Sequence, residues 1–266
     1  MKLQSFIKEI VIISIVLISQ GSVGQVPYER ILNASDEPQN WLTYNGGYMS
    51  QRYSLLDQIN RENVNQLELK WVLQNQVFGA WQSNPIIVDG VMYVTERPNS
   101  VMAVDAVTGR VYWKYRHQNA DNALVCCGAN NRGVAVLNDK VYMGTLDAHL
   151  VALDRVNGQL IWEAEVGDVN LAYSVTMAPL AVKDKILVGV GGGEFGIRGY
   201  VAAFNAETGE QAWKTYTIPG PGEANHDSWE GDDWEHGGAP VWITGSFDSD
   251  LNLTYWGVGN PGPDWN

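Results

Sequence analysis

Short segments that alternate apolar and polar side chains recur along most of this chain. Residues 91–96 (VMYVTE) and 140–146 (KVYMGTL) have the two-residue period of β-strands. Each leads to a second apolar run, VMAVD or LVALD, and then to a tight turn that contains glycine. The pattern predicts an all-β protein built from short strands with short connections.

One motif closes these strand pairs. The pattern A-x-[DN]-x-x-[TN]-G-x-x-x-W occurs three times, and its closing residues, Trp113, Trp162 and Trp213, are 49 and 51 positions apart. A repeat of about 40–50 residues with several strands per unit is typical of a β-propeller. The glycine suits a turn position with positive φ. We interpret the tryptophans as core residues that pack across neighbouring blades; Trp71 then closes an earlier, partial unit, and a further unit begins near Ala239.

The charge and the length limit the possible functions. The chain has 266 residues, of which 45% are hydrophobic, so a sizeable core is expected. It carries 17 Lys and Arg against 30 Asp and Glu, a net charge of −13. Such an acidic chain is a poor candidate for nucleic-acid binding and suits a soluble protein or one with a basic partner. Two cysteines are too few for a disulfide framework or a cysteine-rich zinc site.

Residues 1–24 have the organisation of a secretory signal peptide. Lys2 and Lys8 precede an apolar run at 10–18, and Ser22 and Gly24 place small residues where signal peptidase acts. We expect cleavage near Gly24 and export to the periplasm, with an uncut anchor as the alternative. The apolar run is shorter than an ordinary membrane span of about 20 residues, so no stable membrane span is expected. The remaining residues, 25–266, are predicted to form one partial propeller domain, truncated at its C-terminus.

Three segments carry residues capable of chemistry. Cys126 and Cys127 could form a disulfide within one dipeptide, but two free thiols or pairing between molecules are equally compatible with the sequence. The glycine-dense stretch 189–200 lacks the Lys-[Ser/Thr] of a phosphate loop. It suits close approach of backbone to a flat ligand, with Glu194 as an oxygen donor to a metal; a turn with a solvated Glu194 is the alternative. The acidic stretch 226–238 is interpreted as a surface loop at the mouth of a pocket rather than as a metal site.

Together these motifs resemble the PQQ-dependent (quinoprotein) alcohol dehydrogenases of the methanol and ethanol dehydrogenase type. The docking motifs, the C-C-x-x-x-N-R-G pattern that starts at Cys126, the stretch GGGEFGIRGY and the stretch GNPGPDWN follow the order found in that family, from about Trp41 to Asn266. The resemblance implies an eight-bladed β-propeller of four-stranded antiparallel blades, of which this chain covers about half. The chain has an extra Asp264 in the last motif.

The resemblance also implies a site. PQQ would lie between a Cys126–Cys127 disulfide and the indole of Trp242, with calcium or a lanthanide beside it. Pro240 stands where Ser or Thr is frequent, which would remove one cofactor hydrogen bond. The implied cofactor-binding residues are Gln82, Cys126, Cys127, Arg132, Thr176, Gly192, Gly193 and Trp242, and the implied metal ligands are Glu194 and Asn260.

The implied activity is oxidation of a primary alcohol to an aldehyde by hydride transfer to PQQ, with electrons passed to a c-type cytochrome. The family's catalytic Asp is expected downstream of Asn266, so no catalytic residue is assigned in this chain, which is not expected to be competent as written. A homodimer is one assembly compatible with this reading. Two alternatives are a non-catalytic propeller scaffold, which would need the docking tryptophans alone, and a PQQ-dependent sugar dehydrogenase, against which the adjacent cysteines argue.

Overall fold

The computed structural model describes residues 24–262. The predicted signal peptide, apart from Gly24, and the extra Asp264 therefore lie outside the described residues. Within the described part, strands predominate, and the longest helix, α1 (Tyr28–Leu32), has five residues. No helix in residues 24–262 is both long and apolar enough to cross a membrane.

Between residues 24 and 262, the strands form three four-stranded antiparallel sheets and one two-stranded sheet, and in each sheet every strand pairs with the next in sequence. The predicted all-β fold with four-stranded antiparallel blades is confirmed. Blade 1 contains β1 (Ile86–Val88), β2 (Val91–Glu96), β3 (Ser100–Asp105) and β4 (Val111–Arg116); blade 2 contains β5 (Ala135–Leu137), β6 (Lys140–Gly144), β7 (His149–Asp154) and β8 (Leu160–Glu165); blade 3 contains β9 (Leu180–Val182), β10 (Lys185–Gly189), β11 (Tyr200–Asn205) and β12 (Gln211–Tyr216); the two-stranded sheet contains β13 (Ser246–Asp248) and β14 (Leu253–Tyr255).

The core lies between the blades. All residues of β6 are buried, and so are the central residues of β7, because each middle strand is covered on both faces. The outermost strands β8 and β12 are largely exposed. This gradient explains why the middle strands read as nearly continuous apolar runs in the sequence.

Two of the three docking tryptophans, Trp113 and Trp162, pack on the turn of the following blade. The Nε1 of Trp113 in β4 donates to the carbonyl oxygen of Arg155, at 3.1 Å, and a Cβ added to Gly158 would lie 2.5 Å from the indole of Trp113. The Trp162 indole relates in the same way to Ala206 and Gly209 of blade 3. Trp113 and Trp162 therefore join blades, as the repeat predicts. For Trp213 the prediction of a core residue is wrong, because its side chain in the outer strand β12 is 41% exposed.

Trp71 makes the corresponding contact with blade 1. Its Nε1 donates to the carbonyl oxygen of Ala106 at 3.2 Å, and its ring covers Gly109. Residues 67–76 are nevertheless not paired as a strand. The segment thus occupies the position of an outer blade strand and presents its tryptophan to blade 1.

The Asp or Asn of the motif closes the turn. Asp154 Oδ1 accepts hydrogen bonds from the backbone N–H groups of Val156 and Asn157, at 2.8 and 3.0 Å. Asp105, Asn205 and Asp248 accept the same pair of bonds in their own turns. The side-chain oxygen of a short Asp or Asn thus accepts hydrogen bonds from backbone N–H groups of the turn.

The unit that the sequence predicts to begin near Ala239 forms only two short strands, β13 and β14, of three residues each. Residues 241–245 lie before β13 and do not pair as a strand. The N–H of Val241 instead donates to the carbonyl oxygen of Val190, which brings this segment against blade 3. A Cβ on Gly189 would lie 2.4 Å from the carbonyl oxygen of Val241, so the two backbones touch. The loop 226–238 is mostly exposed, as expected, with two short 3₁₀ helices, His226–Ser228 and Asp233–Glu235.

Candidate functional site

A cleft of about 320 Å³ lies where the β4–β5 and β10–β11 connections meet. The segments before β1, β9 and β13 and the residues that follow β14 complete its walls. Nine of the ten predicted site residues line it: Gln82, Cys126, Cys127, Arg132, Thr176, Gly192, Glu194, Trp242 and Asn260.

Cys126 and Cys127 are joined by a disulfide in the β4–β5 connection. Cys127 has a φ of +64°, and its carbonyl oxygen accepts a hydrogen bond from Asn130 Nδ2 at 2.9 Å. Arg97 Nε donates to the carbonyl oxygen of Ala129, at 3.1 Å. These bonds hold the turn that carries the disulfide, so that it forms a fixed wall of the cleft.

Arg132 supplies a fixed positive charge. Its Nη1 donates to Thr176 Oγ1 at 2.9 Å and to the Thr176 carbonyl oxygen at 3.2 Å. Its guanidinium carbon lies 4.9 Å from the ring centre of Trp242, a cation–π contact. Burial lowers the pKa of Arg132, but a guanidinium remains charged at neutral pH. Arg132 can therefore receive anionic or carbonyl oxygens of a ligand.

The glycine-dense connection after β10 fits tightly against its neighbours. Gly192 has a φ of +112°, and a Cβ there would lie 2.3 Å from the carbonyl oxygen of Ala172. A Cβ on Gly191 would lie 2.9 Å from Ser174 Oγ. Contacts within the protein thus require these glycines, and Gly191 and Gly192 also line the cleft.

Gly193 is placed differently from the other predicted residues. It is buried, and a Cβ there would meet the ring of Pro240 at 2.7 Å. In the described part of the chain Gly193 lies beside the cleft lining rather than in it. Its role in cofactor binding stays a prediction.

Glu194 and Asn260 bring two oxygen-bearing side chains to the same cleft. Glu194 lies in the 3₁₀ helix Gly193–Phe195, and one of its carboxylate oxygens is within 4.8 Å of the sulfurs of Cys126 and Cys127. Asn260 is anchored because its carbonyl oxygen accepts from Ala239 N at 2.8 Å and its Nδ2 donates to the Pro261 carbonyl oxygen at 3.0 Å. Oxygen donors of these types suit a hard cation.

Sequence reasoning missed four residues of the lining. Asn130 lies inside the cysteine motif and could have been proposed as the residue that holds its turn. Ser174 is two positions before Thr176, so the two-residue period of extended chain places both on one side. Gly128 and Gly191 gave no signal beyond the neighbouring motifs. The acidic loop 226–238, predicted at a pocket mouth, contributes no residue to this cleft within the described chain.

Residues 41–266 match the family described as "Glucose/ethanol/alcohol dehydrogenase, beta-propeller domain", with the name PQQ. The chain belongs to this family. The resemblance seen in the motifs is therefore confirmed over most of the sequence.

Named relatives give the same assignment. The chain is 41% identical to the dehydrogenase subunit of an alcohol dehydrogenase (quinone) from Gluconacetobacter polyoxogenes, over 93% of this chain and 36% of that protein. It superposes with a TM-score of 0.85 on the quinohemoprotein alcohol dehydrogenase ADHIIG of Pseudomonas putida HK5, at 42% identity, covering 90% of this chain and 37% of the other. A europium-containing methanol dehydrogenase gives a TM-score of 0.82 and 36% identity, covering 88% and 45%. The chain thus spans between a third and a half of the proteins it matches.

Proposed function

We propose that this chain provides the cofactor and metal side of a PQQ-dependent dehydrogenase that oxidises a primary alcohol to an aldehyde. The observation that carries the proposal is the convergence of nine predicted site residues, taken from segments far apart in sequence, on one cleft. The relatives named above as alcohol and methanol dehydrogenases support the same activity.

The residues present fit such a cofactor. The disulfide and the Trp242 indole offer flat or compact apolar walls, and Arg132 and the hydroxyl of Thr176 offer donors for oxygens. When bound, PQQ would supply the group that accepts hydride from the alcohol. Arg132, held by Thr176 and stacked on Trp242, would orient the oxygens of that group. Pro240 at the cleft wall offers no N–H or hydroxyl donor there.

Glu194 and Asn260 fit a metal ion with hard-oxygen preference. A carboxylate and an amide oxygen are ligands that calcium accepts, and a trivalent lanthanide has the same preference for oxygen. The europium-containing relative supports a lanthanide, but calcium uses the same ligand types. The bound metal would polarise the acceptor as a Lewis acid.

The proposal also covers the cellular location of the enzyme and its electron acceptor. The N-terminal pattern and the disulfide support a periplasmic location, because disulfides persist in oxidising compartments. We propose a c-type cytochrome as electron acceptor; the net charge of −13 suits a basic partner. The proton-accepting Asp expected after Asn266 and a homodimer remain predictions.

Replacement of the Glu194 carboxylate tests the site. In Glu194→Gln the amide keeps the shape but removes the charge that holds the metal, so metal-dependent PQQ affinity should fall by at least about tenfold to a hundredfold. Equilibrium dialysis of PQQ with and without Ca²⁺ or Eu³⁺ measures this. In a full-length protein that includes the Asp expected after Asn266, ethanol or methanol should reduce an artificial electron acceptor and glucose should not.

The matched control is Glu230→Gln, which removes an exposed carboxylate of the loop 226–238. It should bind PQQ like the parent protein. Unchanged metal-dependent binding in Glu194→Gln would contradict the ligand assignment. A parent protein that binds no PQQ would favour the non-catalytic scaffold, and glucose oxidation would favour the sugar dehydrogenase.

A further inference from the structure

A cluster of histidine and carboxylate side chains lies between blades 1 and 2. His117 follows β4 of blade 1, His149 begins β7, and Glu163 lies in β8 of blade 2. We propose that His117, His149 and Glu163 bind a divalent transition-metal ion of the zinc type. None of the three lines the cleft described above, so this would be a second and separate metal site.

The donor atoms are already close together. One ring nitrogen of each histidine and one carboxylate oxygen of Glu163 all lie within 4.8 Å of one another. His149 Nε2 is 3.9 Å from Glu163 Oε1. Ligand atoms about 2.0–2.2 Å from a tetrahedral zinc ion lie roughly 3.3–3.6 Å apart, so the donor atoms need to approach one another by up to about 1.5 Å. Rotation about side-chain bonds is sufficient for that change.

Asp147 positions the imidazole of His117 and lies near that of His149. Its Oδ1 and Oδ2 are 3.0 and 3.1 Å from His117 Nε2, and Oδ1 is 3.7 Å from His149 Nδ1. The carboxylate is itself fixed by Thr145 Oγ1 at 2.6 Å and by the N–H of Ala120 at 2.9 Å. A carboxylate that orients a ligating histidine is a common second layer of metal sites.

The burial favours tight binding with access from one side. The side chains of Asp147 and His117 are 5% and 7% exposed, whereas those of His149 and Glu163 are 28% and 35% exposed. The two carboxylates add negative charge at a largely enclosed point, which attracts a cation. The partly open side can admit the ion and the water that would complete four ligands.

One polar atom of the cluster lacks a hydrogen-bond partner. Among the described residues, His149 Nδ1 is buried without one, and its distance of 3.7 Å to Asp147 exceeds a hydrogen bond. A buried polar atom without a partner costs free energy. Closure of the cluster around an ion would move the His149 ring. The Nδ1–H group of His149 could then donate a hydrogen bond to the Asp147 carboxylate.

The two proposed sites differ in their preferred ions. Imidazole nitrogens select zinc, copper or nickel, whereas the oxygen donors Glu194 and Asn260 suit calcium or a lanthanide. An ion held by His117 from blade 1 and by His149 and Glu163 from blade 2 would also join the two blades across their outer strands. It would therefore stabilise the blade interface at the end away from the Trp113 dock.

Zinc titration of the metal-free protein, with excess Ca²⁺ present throughout, tests the proposal. The parent protein should bind one Zn²⁺ by calorimetry that Ca²⁺ does not displace. His117→Gln and His149→Gln should each weaken binding by at least about tenfold to a hundredfold. His226→Gln, a histidine of the exposed loop 226–238, and Glu194→Gln, in the cleft, should bind Zn²⁺ like the parent.

A second measurement needs no variant. Bound Zn²⁺ should protect His149, whose side chain is 28% exposed, from diethyl pyrocarbonate, while His226 and His236 react at an unchanged rate, as read by peptide mass spectrometry. No saturable Zn²⁺ binding by the parent protein would overturn the proposal. Zn²⁺ binding that is abolished by His226→Gln or by Glu194→Gln would also overturn it, and so would an unchanged reaction rate of His149 in the presence of Zn²⁺.

Discussion

The glycine of each docking motif lies directly under an indole ring. Gly109, Gly158 and Gly209 have φ values of +75°, +73° and +75°, and each would place a Cβ within 2.8 Å of a tryptophan ring atom. Glycine is therefore required at these positions for two reasons. The turn has a left-handed backbone conformation, and the tryptophan of the neighbouring blade leaves no room for a side chain.

Gly158→Ala should destabilise the protein by about 2–4 kcal/mol, because left-handed strain and a clash with Trp113 add. Denaturant unfolding followed by tryptophan fluorescence measures the change. Gly222→Ala is the matched control, since Gly222 has a φ of +85° with no atom within 4 Å of an added Cβ. It should lose only about 1–2 kcal/mol, from strain alone. Equal losses in the two variants would show that the indole does not need the glycine.

At the same scale, the sequence identified those site residues that lie in distinctive motifs. Cys126, Arg132 and Glu194 stand in short patterns whose spacing is unusual, and all three line the cleft. Ser174 and Asn130 were missed because their signals depend on neighbours: Ser174 on its spacing from Thr176, and Asn130 on its place inside the cysteine motif. Gly193 was predicted to bind the cofactor together with Gly192 but lies beside the cleft lining. Adjacent glycines in one motif can face different neighbours, and the motif alone does not separate them.

At the scale of elements, the short helix α1 is held to blade 1 by charge. Arg30 donates to Glu37 at 2.7 Å and pairs with both oxygens of Asp89, in the turn between β1 and β2. The sequence did not predict α1, because five residues are too few to show a helical period. Its position depends on contacts far away in sequence.

The Arg30 contacts predict a loss of stability in acid. Hydrogen bonds from Arg30 are the largest cause that lowers the pKa of Glu37 and of Asp89. A carboxyl with a lowered folded-state pKa stabilises the fold above its unfolded pKa of about 4, and that contribution is lost as pH falls. Arg30→Gln should therefore reduce stability by up to about 1 kcal/mol at pH 7, since the groups are partly exposed.

Unfolding curves of the parent protein and of Arg30→Gln across pH 3–7 check this, and the difference should shrink toward pH 3. A matched control is Arg61→Gln, an exposed cation of the segment before the blades. It should follow the parent at every pH. A constant difference between Arg30→Gln and the parent would mean that packing, rather than charge, explains the effect.

At the scale of the whole molecule, the repeat predicted most of the architecture. Identical motifs fold into blades because each unit uses the same turn acceptor, glycine and tryptophan. The segments around Trp71 and Trp242 were harder to predict from the sequence, because they do not form paired strands. Trp71 packs on blade 1 from an extended segment, and Trp242 lines the cleft. Leu69 and Phe78 remain 82% and 93% exposed, and their covering within an eight-bladed ring stays a prediction.

The central claim is that the cleft between the disulfide and Trp242 holds PQQ beside a metal ion. Crystals of the protein with PQQ and Eu³⁺ test it most directly, because europium gives an anomalous signal that locates the ion. The account predicts density for a flat group between the Cys126–Cys127 disulfide and the Trp242 indole, with the europium peak at Glu194 and Asn260. A flat group bound elsewhere, or a europium peak away from Glu194, would contradict it.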